Sequence, residues 1–248
     1  MILFYEIECR DMTSRSPQET KRKTFLSFSG VDGAGKSTQI RALCASLTSL
    51  GLRIRVVTFW DEIACLARLR GNAGHMIFKG DKGIGTPSAP VERRDKNVRI
   101  WPMTCLRLLL YLLDALSVSS TFARLRRSEA DVIIFDRYIY DELANLDLRN
   151  PLLRLYTRTI LKLAPTPDIG FLLDADPCEA RARKPEYPID FMHLSRQSYK
   201  NLWQMVAGSI CIPPMTIDRV HEAILAHTLG AVALREYCIE VEPSRVDG

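Results

Sequence analysis

The clearest structural signal in this chain is the stretch Thr24-Phe-Leu-Ser-Phe-Ser-Gly30-Val-Asp-Gly-Ala-Gly-Lys36-Ser37. It begins with a short run rich in β-branched and aromatic side chains, which is typical of a strand. Residues 30–37 then fit the pattern G-x-x-x-x-G-K-S. After this pattern, apolar residues recur at helical spacing, at Ile40, Leu43, Cys44 and Leu47. A strand, a glycine-rich turn and an amphipathic helix in this order predict a phosphate-binding loop.

The residue types of this loop fit the polyphosphate of a nucleotide. Glycines let backbone N–H groups close around a phosphate without side-chain clashes, and the N-terminus of the following helix adds positive partial charge. The ammonium of Lys36 can reach the β- and γ-phosphates, and the hydroxyl of Ser37 can bind Mg²⁺. We therefore expect ATP and Mg²⁺ at the loop.

Composition indicates an ordinary globular protein. The chain has 248 residues, 47% hydrophobic and 25% charged, which suits one sizeable α/β domain. The net charge of +5 suits a phosphate-rich ligand, but no dense run of Lys and Arg indicates nucleic acid. The seven cysteines include no C-x-x-C pair, which favours the reducing cytoplasm over a disulfide framework or a zinc site. The longest apolar run, Leu108–Leu113, is too short to span a bilayer, and we expect no membrane partner.

The rest of the chain predicts strands that alternate with helices. We expect further strands at 53–60, 131–135, 169–174 and 215–218, and helices at 62–70, 103–127, 151–164, 190–207 and 220–235. Residues 71–97 are expected to form a long loop that either covers a substrate or is mobile. The domain is expected to span residues 24–235, between an N-terminal extension (1–23) that need not be ordered and a C-terminal tail (236–248). The alternation predicts a three-layer α/β fold, in which helices cover both faces of a central parallel sheet.

Three helices have a predicted face or cap. In the helix at 103–127, Leu106, Leu109, Leu110, Leu113 and Leu116 mark one apolar face. The helix at 190–207 has an apolar face that includes Phe191 and Leu194. Before a helix that starts at Pro177, Asp176 is predicted to be the N-cap rather than a catalytic residue.

A second charged motif follows the third strand. Asp136-Arg137-Tyr138 comes directly after a fully apolar run, which is typical of a buried parallel strand. The carboxylate can hold Mg²⁺ or its water ligands, and the guanidinium is matched to a second phosphate. Ligands of parallel α/β sheets bind at the carboxyl ends of the strands, so we expect this motif and the phosphate loop to meet in one cleft. The combination indicates a kinase rather than a nucleotide-dependent switch.

These motifs resemble the thymidylate kinase family of P-loop nucleoside monophosphate kinases. Phe28–Gln39 is close to the phosphate-loop signature of the family, and Asp136-Arg137-Tyr138 has the place of its D-R-Y/H/F motif. Pro167–Pro177 resembles the P-D-x-x-x-x-L-D-x-x-P stretch that leads into the lid of the family. The resemblance implies a cytoplasmic P-loop kinase that moves the γ-phosphoryl of ATP to a nucleoside monophosphate, dTMP or a related acceptor. The implied partners are small-molecule nucleotides, and a homodimer is left open.

The resemblance also implies roles for individual residues. It implies ATP binding by Gly30, Asp32, Gly33, Ala34, Gly35, Lys36, Ser37 and Thr38. It implies acceptor binding by Asp32, Arg137 and Tyr138, and Mg²⁺ binding by Ser37 and Asp136. Lys36 and Arg137 would be catalytic. Because Gly33 has the loop position where some members have an arginine, the lid would supply a catalytic arginine, Arg181 or Arg183.

The chain departs from the family pattern around the acceptor. Phe59-Trp60-Asp61 replaces the usual R-E-P, Leu113-Asp114-Ala115 replaces A-D-R, and Asp141 stands where a serine normally follows D-R-Y. Donor chemistry survives these changes, but thymidine monophosphate as the acceptor does not follow from them. Two alternatives stay open: a kinase for a nucleoside or another small hydroxyl metabolite, and a nucleotide-binding module without turnover.

Overall fold

A single parallel sheet is the centre of the molecule in the computed structural model, which describes residues 22–64 and 101–241. The strands are β1 (Thr24–Ser29), β2 (Ile54–Thr58), β3 (Val132–Asp136), β4 (Ile169–Leu173) and β5 (Ser209–Ile212). Their order across the sheet is β2-β3-β1-β4-β5, and every pair is parallel. The prediction of an α/β P-loop kinase fold with a central parallel sheet is therefore confirmed.

Helices connect the strands. They are α1 (Lys36–Ser49), α2 (Trp101–Leu125), α3 (Ile139–Leu143), α4 (Pro151–Leu163), α5 (Pro177–Arg183), α6 (Ile189–Trp203) and α7 (Ile217–Val241), with one turn of π-helix at Phe59–Ile63. Asp176 caps α5, because its carboxylate accepts from the backbone N–H groups of Cys178 and Glu179. This cap agrees with the sequence prediction.

Two hydrophobic cores lie on opposite faces of the sheet, because alternate strand residues point to opposite sides. On one face, Phe28 and its neighbours pack with Leu43 of α1 and Ile224 of α7. On the other face, Phe25 and Phe135 pack with residues of α2 and of later helices, among them Tyr111, Ala115, Ile160 and Leu202. Helices thus cover both faces, as the three-layer prediction requires.

The strand register brings the two sequence motifs together. Phe28 of β1 pairs with Asp136 of β3, which in turn pairs with Thr58 at the end of β2. The loop after β1 and the residues after β3 therefore leave the sheet side by side at its carboxyl edge. This edge is where the candidate site lies.

Several predicted elements differ from the structure. The predicted strand at 215–218 is wrong, because β5 is Ser209–Ile212 and Ile217 already begins α7. The last helix also continues past residue 235, to Val241. The short helix α3 directly after the D-R-Y motif was not predicted. The predicted loop at 71–97, most of the predicted helix at 62–70 and the ends of the chain (1–21 and 242–248) lie outside the described residues.

The apolar leucine face predicted for the long helix α2 is not its buried face. Leu106, Leu109, Leu113 and Leu116 are exposed, and the buried side of the helix consists instead of Tyr111, Asp114, Ala115, Val118, Thr121, Phe122 and Leu125. In α6, Leu194 is likewise exposed. The segment Thr104–Leu125 has the length and apolar composition of a membrane span, with 33% of its most apolar window buried. One such helix is weak evidence for a membrane span, because buried core helices can have the same length and apolar composition.

Candidate active site

The phosphate loop links β1 to α1 through three glycines with positive φ. Gly30, Gly33 and Gly35 have φ of 143°, 83° and 89°, a backbone conformation that L side chains rarely adopt. Gly35 is the N-cap of α1, and its carbonyl accepts from the N–H groups of Thr38 and Gln39. The loop backbone therefore turns around the N-terminus of a helix, the arrangement that binds anions.

Lys36 folds back over this loop. Its Nζ donates to the carbonyl of Gly30 at 2.7 Å and to that of Val31 at 2.9 Å, and the residue is 6% exposed. Burial, followed by the nearby charge of Arg137, lowers the pKa of Lys36 to about 8. The ammonium is thus held inside the loop, where it can exchange carbonyl partners for phosphate oxygens.

Gly33 lies directly beneath the lid helix α5. A Cβ atom at this position would lie 2.2 Å from the carbonyl oxygen of Ala180. No side chain fits there with α5 in this position. The loop therefore cannot provide an arginine at residue 33, which agrees with the expectation that a catalytic arginine comes from elsewhere.

Arg137 leaves β3 in a strained backbone conformation and turns toward the phosphate loop. It is the one non-glycine residue in the described ranges with positive φ, at 71°. Its Nη2 donates to the carboxylate of Asp32, and its Nη1 donates to Asp141 Oδ1 at 3.2 Å. Burial alone would lower the pKa of Arg137, but Asp32 and Asp141 outweigh it and raise that pKa. The structure thus brings Asp32, Lys36 and Arg137 together.

Asp141 is the functional candidate that sequence reasoning left without a role. Its carboxylate is buried and accepts from Ser29 Oγ at 2.7 Å, from the Tyr138 backbone N–H at 3.1 Å and from the Tyr199 hydroxyl at 2.8 Å, besides Arg137. The signal in the sequence was the replacement of the usual serine. The distant Tyr199, on α6, gave no signal of its own.

The two predicted magnesium ligands differ in exposure. Ser37 is exposed at the start of α1, and Asp136 is partly buried at the end of β3. Burial raises the pKa of Asp136, against the opposing charges of Arg137 and Lys36. Mg²⁺ needs one or two protein oxygens when phosphates supply the rest, so a hydroxyl and a carboxylate fit this ion. Among the described residues no cluster of three or more His, Cys, Asp or Glu side chains forms a metal site on its own.

Tyr138 has a packing role in the structure. Its side chain is fully buried, and its hydroxyl donates to the carbonyl of Pro165 at 2.5 Å. Its ring contacts those of Phe135 and Tyr140. The side chain that was expected to bind the acceptor therefore belongs to the core, and Arg137 is the member of the motif that faces the loop.

The three cations of the lid segment, Arg181, Arg183 and Lys184, have different contacts. Arg181 Nε donates to the Tyr187 carbonyl at 3.0 Å, and Arg183 Nε donates to the Glu179 carbonyl at 3.2 Å. The ammonium of Lys184 lies 3.9 Å from Asp32 Oδ1 and 3.1 Å from Glu186. The structure thus places one lid cation beside the carboxylate that also contacts Arg137.

A cleft of about 170 Å³ opens beside the phosphate loop. Gly35 and Thr38 line one side of it, Arg183 of α5 lines another, and the apolar wall comes from the ends of β4 and β5 and the start of α7. Its lining includes Leu173, Ile212, Pro213, Pro214, Met215, Ile217 and Val220. Apolar walls with a few polar groups at the rim are typical of small-molecule sites.

Comparison with curated proteins finds thymidylate kinases. A thymidylate kinase from Chlorobium luteolum (strain DSM 273 / BCRC 81028 / 2530) is 28% identical over 162 residues, which is 64% of this chain and 65% of that protein. A thymidylate kinase from Chlorobium chlorochromatii (strain CaD3) is 27% identical over 187 residues, which is 70% of this chain and 71% of that protein. This chain is distantly related to thymidylate kinases.

The extent and identity of the similarity determine what it says about function. The match spans just under two thirds of the length of the Chlorobium luteolum protein. No family model matches the chain. At this identity the relatives suggest a nucleotide kinase, and they leave the acceptor undetermined.

Proposed function

We propose that this protein is an ATP-dependent phosphotransferase that moves the γ-phosphoryl of ATP to a nucleoside monophosphate. The supporting observation is that Arg137 and the phosphate loop meet at one edge of the sheet, where the guanidinium contacts Asp32. The cation Lys36 lies in the phosphate loop, and the cation Arg137 lies across from it. This is the layout that phosphoryl transfer between two bound phosphates needs.

In this proposal the phosphate loop holds the donor. The backbone from Gly30 to Thr38 binds the polyphosphate, and Lys36 neutralises part of its charge. The apolar cleft between the ends of β4 and β5 and the start of α7 takes the donor nucleoside. Ser37 and Asp136 would hold Mg²⁺, which, when bound, neutralises charge on the β- and γ-phosphates.

The acceptor lies on the other side of the loop. Arg137 binds its phosphate, and Asp32 would contact the acceptor sugar or the hydration shell of Mg²⁺. Arg181 or Arg183 supplies positive charge from the lid as the phosphoryl group moves. The chemistry demands alignment and charge neutralisation rather than a covalent intermediate.

A kinase for a less charged acceptor is the second candidate. Two carboxylates, Asp32 and Asp141, contact Arg137, and each reduces its attraction for a dianionic phosphate. A nucleoside or another small hydroxyl compound would need fewer cations. This candidate uses the same donor site.

An ADP-release assay over nucleosides, nucleoside monophosphates and sugar phosphates tests the proposal. We expect the highest kcat/KM for a nucleoside monophosphate, and loss of turnover in Lys36→Ala. The matched control is Lys162→Ala, because Lys162 is exposed in the last turn of α4. Equal ADP release with and without every acceptor, or full turnover in Lys36→Ala, would refute the proposal.

A further inference from the structure

The carboxylate of Asp141 divides its four contacts between its two oxygens. Oδ2 accepts from Ser29 Oγ and from the Tyr138 backbone N–H, which belong to the end of β1 and the turn after β3. Oδ1 accepts from Arg137 Nη1 and from the Tyr199 hydroxyl. One oxygen thus fastens Asp141 to the scaffold, and the other faces the guanidinium.

Arg137 needs such support because its backbone conformation is unfavourable for a residue with a side chain. Its φ of 71° lies in the left-handed region that residues with a side chain rarely adopt, so the structure around it has to compensate. The Arg137 backbone N–H donates to the Phe28 carbonyl at 3.1 Å, which fixes the start of the side chain. Asp141 and Asp32 then hold the two Nη groups at its end.

Tyr199 reaches Asp141 from helix α6, and α6 is itself tied to the sheet. Arg196 donates to Asp174 at the end of β4 through Nε at 2.6 Å and Nη2 at 2.8 Å, and the Lys200 ammonium lies 3.0 Å from the same carboxylate. Burial and the Asp141 carboxylate raise the pKa of Tyr199, so its hydroxyl stays a donor. The hydrogen bond from the Tyr199 hydroxyl to Asp141 Oδ1 therefore joins two side chains that are each held in place.

We propose that Asp141 is a positioning residue, which, together with the Tyr199 hydroxyl, holds the Arg137 guanidinium in the orientation that receives the acceptor phosphate. The inference rests on the proposed function, because it assumes that Arg137 binds the acceptor. It assigns a role to a residue that the family pattern does not contain. Asp141 itself need not touch either substrate.

The first test observes the guanidinium without any substrate. Side-chain NMR of arginine-labelled protein reports rotation of the guanidinium, and the Arg137 signals are assigned by their loss in Arg137→Lys. We expect separate, slowly exchanging Nη–H signals in the unsubstituted protein, because two carboxylates hold the two Nη groups. Asp141→Asn should merge them, and Tyr199→Phe should broaden them. Unchanged Arg137 signals in Asp141→Asn would overturn the proposal.

The second test is a double-mutant cycle on acceptor kinetics. Loss of one charge-assisted hydrogen bond predicts a decrease of about 10-fold in acceptor kcat/KM for Asp141→Asn, with the ATP KM changed by less than about twofold. In an Arg137→Ala background the same substitution should change acceptor kcat/KM by less than about twofold, because its target is gone. A decrease of equal size in both backgrounds would show a merely structural role and overturn the proposal.

Two further measurements separate positioning from general stability. Ser29→Ala removes a donor to Oδ2, so we expect it to lower the melting temperature with a smaller effect on acceptor kinetics than Asp141→Asn. If no compound in the acceptor panel is phosphorylated, the proposed function fails, and the NMR measurement still decides whether Asp141 positions Arg137. The two failures are thus distinguishable.

Discussion

The position of Lys36 inside the phosphate loop makes its charge depend on pH in a measurable range. Its pKa is lowered to about 8 by burial, whereas the unfolded chain retains the ordinary value of 10.5. Below about pH 8 the lysine is charged in both states. Above that pH the folded protein releases the proton first, so the charge that binds phosphate is lost.

We therefore expect kcat/KM for ATP to decrease as the pH rises through about 8, because this parameter reports the pKa values of the enzyme before ATP binds. The measurement is a pH profile of kcat/KM at a fixed, saturating acceptor concentration. A profile that is flat up to pH 10.5 would contradict the lowered pKa of Lys36.

The same shift predicts the pH dependence of stability. Between about pH 8 and 10.5 the unfolded chain binds more protons than the folded chain at this residue, so Lys36 makes the free energy of unfolding rise with pH. The full effect is about 3 kcal/mol. In urea unfolding this rise should appear as the difference between the unsubstituted protein and Lys36→Met, which removes the titrating group. The raised pKa values of the buried Tyr140 and Tyr199 lower the free energy of unfolding at high pH in both proteins.

Arg137 gives a prediction about the acceptor. Arg137→Ala removes a guanidinium–phosphate contact from a largely desolvated site, which costs about 2–5 kcal/mol. We expect acceptor kcat/KM to decrease by about 30-fold or more, with the ATP KM nearly unchanged. Arg149→Ala is the matched control, because Arg149 is an exposed arginine that also pairs with an aspartate, Asp147. Reduced ATP affinity with normal acceptor kinetics would show that Arg137 does not bind the acceptor.

The lid helix α5 is the element with the sharpest prediction. Both arginines of α5 donate through Nε to a backbone carbonyl, Arg181 to Tyr187 and Arg183 to Glu179, but Arg183 is the one that lines the cleft beside Gly35 and Thr38. A cation that contacts the transferring group contributes about 10²-fold or more to kcat. We expect this loss in Arg183→Ala and a smaller one in Arg181→Ala, with Lys184→Ala as a comparison from the same segment. Unchanged kcat in the double variant at positions 181 and 183 would refute a lid-supplied arginine.

Elements with local spacing signals could be predicted from the sequence, whereas the packing of their faces could not. The strand, loop and helix around Gly30–Ser37 were predictable because the spacing of glycines and apolar residues is set locally. Helix α2 was placed well, but its leucine face is not the face that packs on the sheet. The leucine stripe and the buried stripe from Tyr111 to Leu125 both have apolar residues at helical spacing, so periodicity alone cannot tell which one packs on the sheet.

Long-range contacts limited the rest of the prediction. β5 is a four-residue strand after Gly208, too short for a clear periodic pattern, and it is defined by its pairing with β4. The loop and Arg137 could be placed at one edge from strand order alone. The contacts of Asp141 with Ser29 and Tyr199 span 112 and 58 residues, and no local pattern predicts them.

At the scale of the whole molecule, the charges around Arg137 predict the choice of acceptor. In the described part of the site Arg137 faces two carboxylates, and the helix position where the family has an arginine is the fully buried Ala115. A nearly dianionic phosphate beside ATP needs fixed cations to offset the repulsion. We expect thymidine monophosphate to have a lower kcat/KM than the best compound in the acceptor panel. A kcat/KM for thymidine monophosphate above all others would contradict this expectation.

The central place of β1 in the sheet has a consequence for biosynthesis. β1 is synthesised before both of its neighbours, β3 and β4, and the partner of Thr24 is Val132, about 100 positions later. At about 5–20 residues per second, the ribosome takes about 5–20 s to deliver the first of these partners. During that time the apolar strand has both edges unpaired. Nascent chains of this protein should therefore depend on chaperones until β3 emerges, and refolding from denaturant should be slow because its key pairings are non-local.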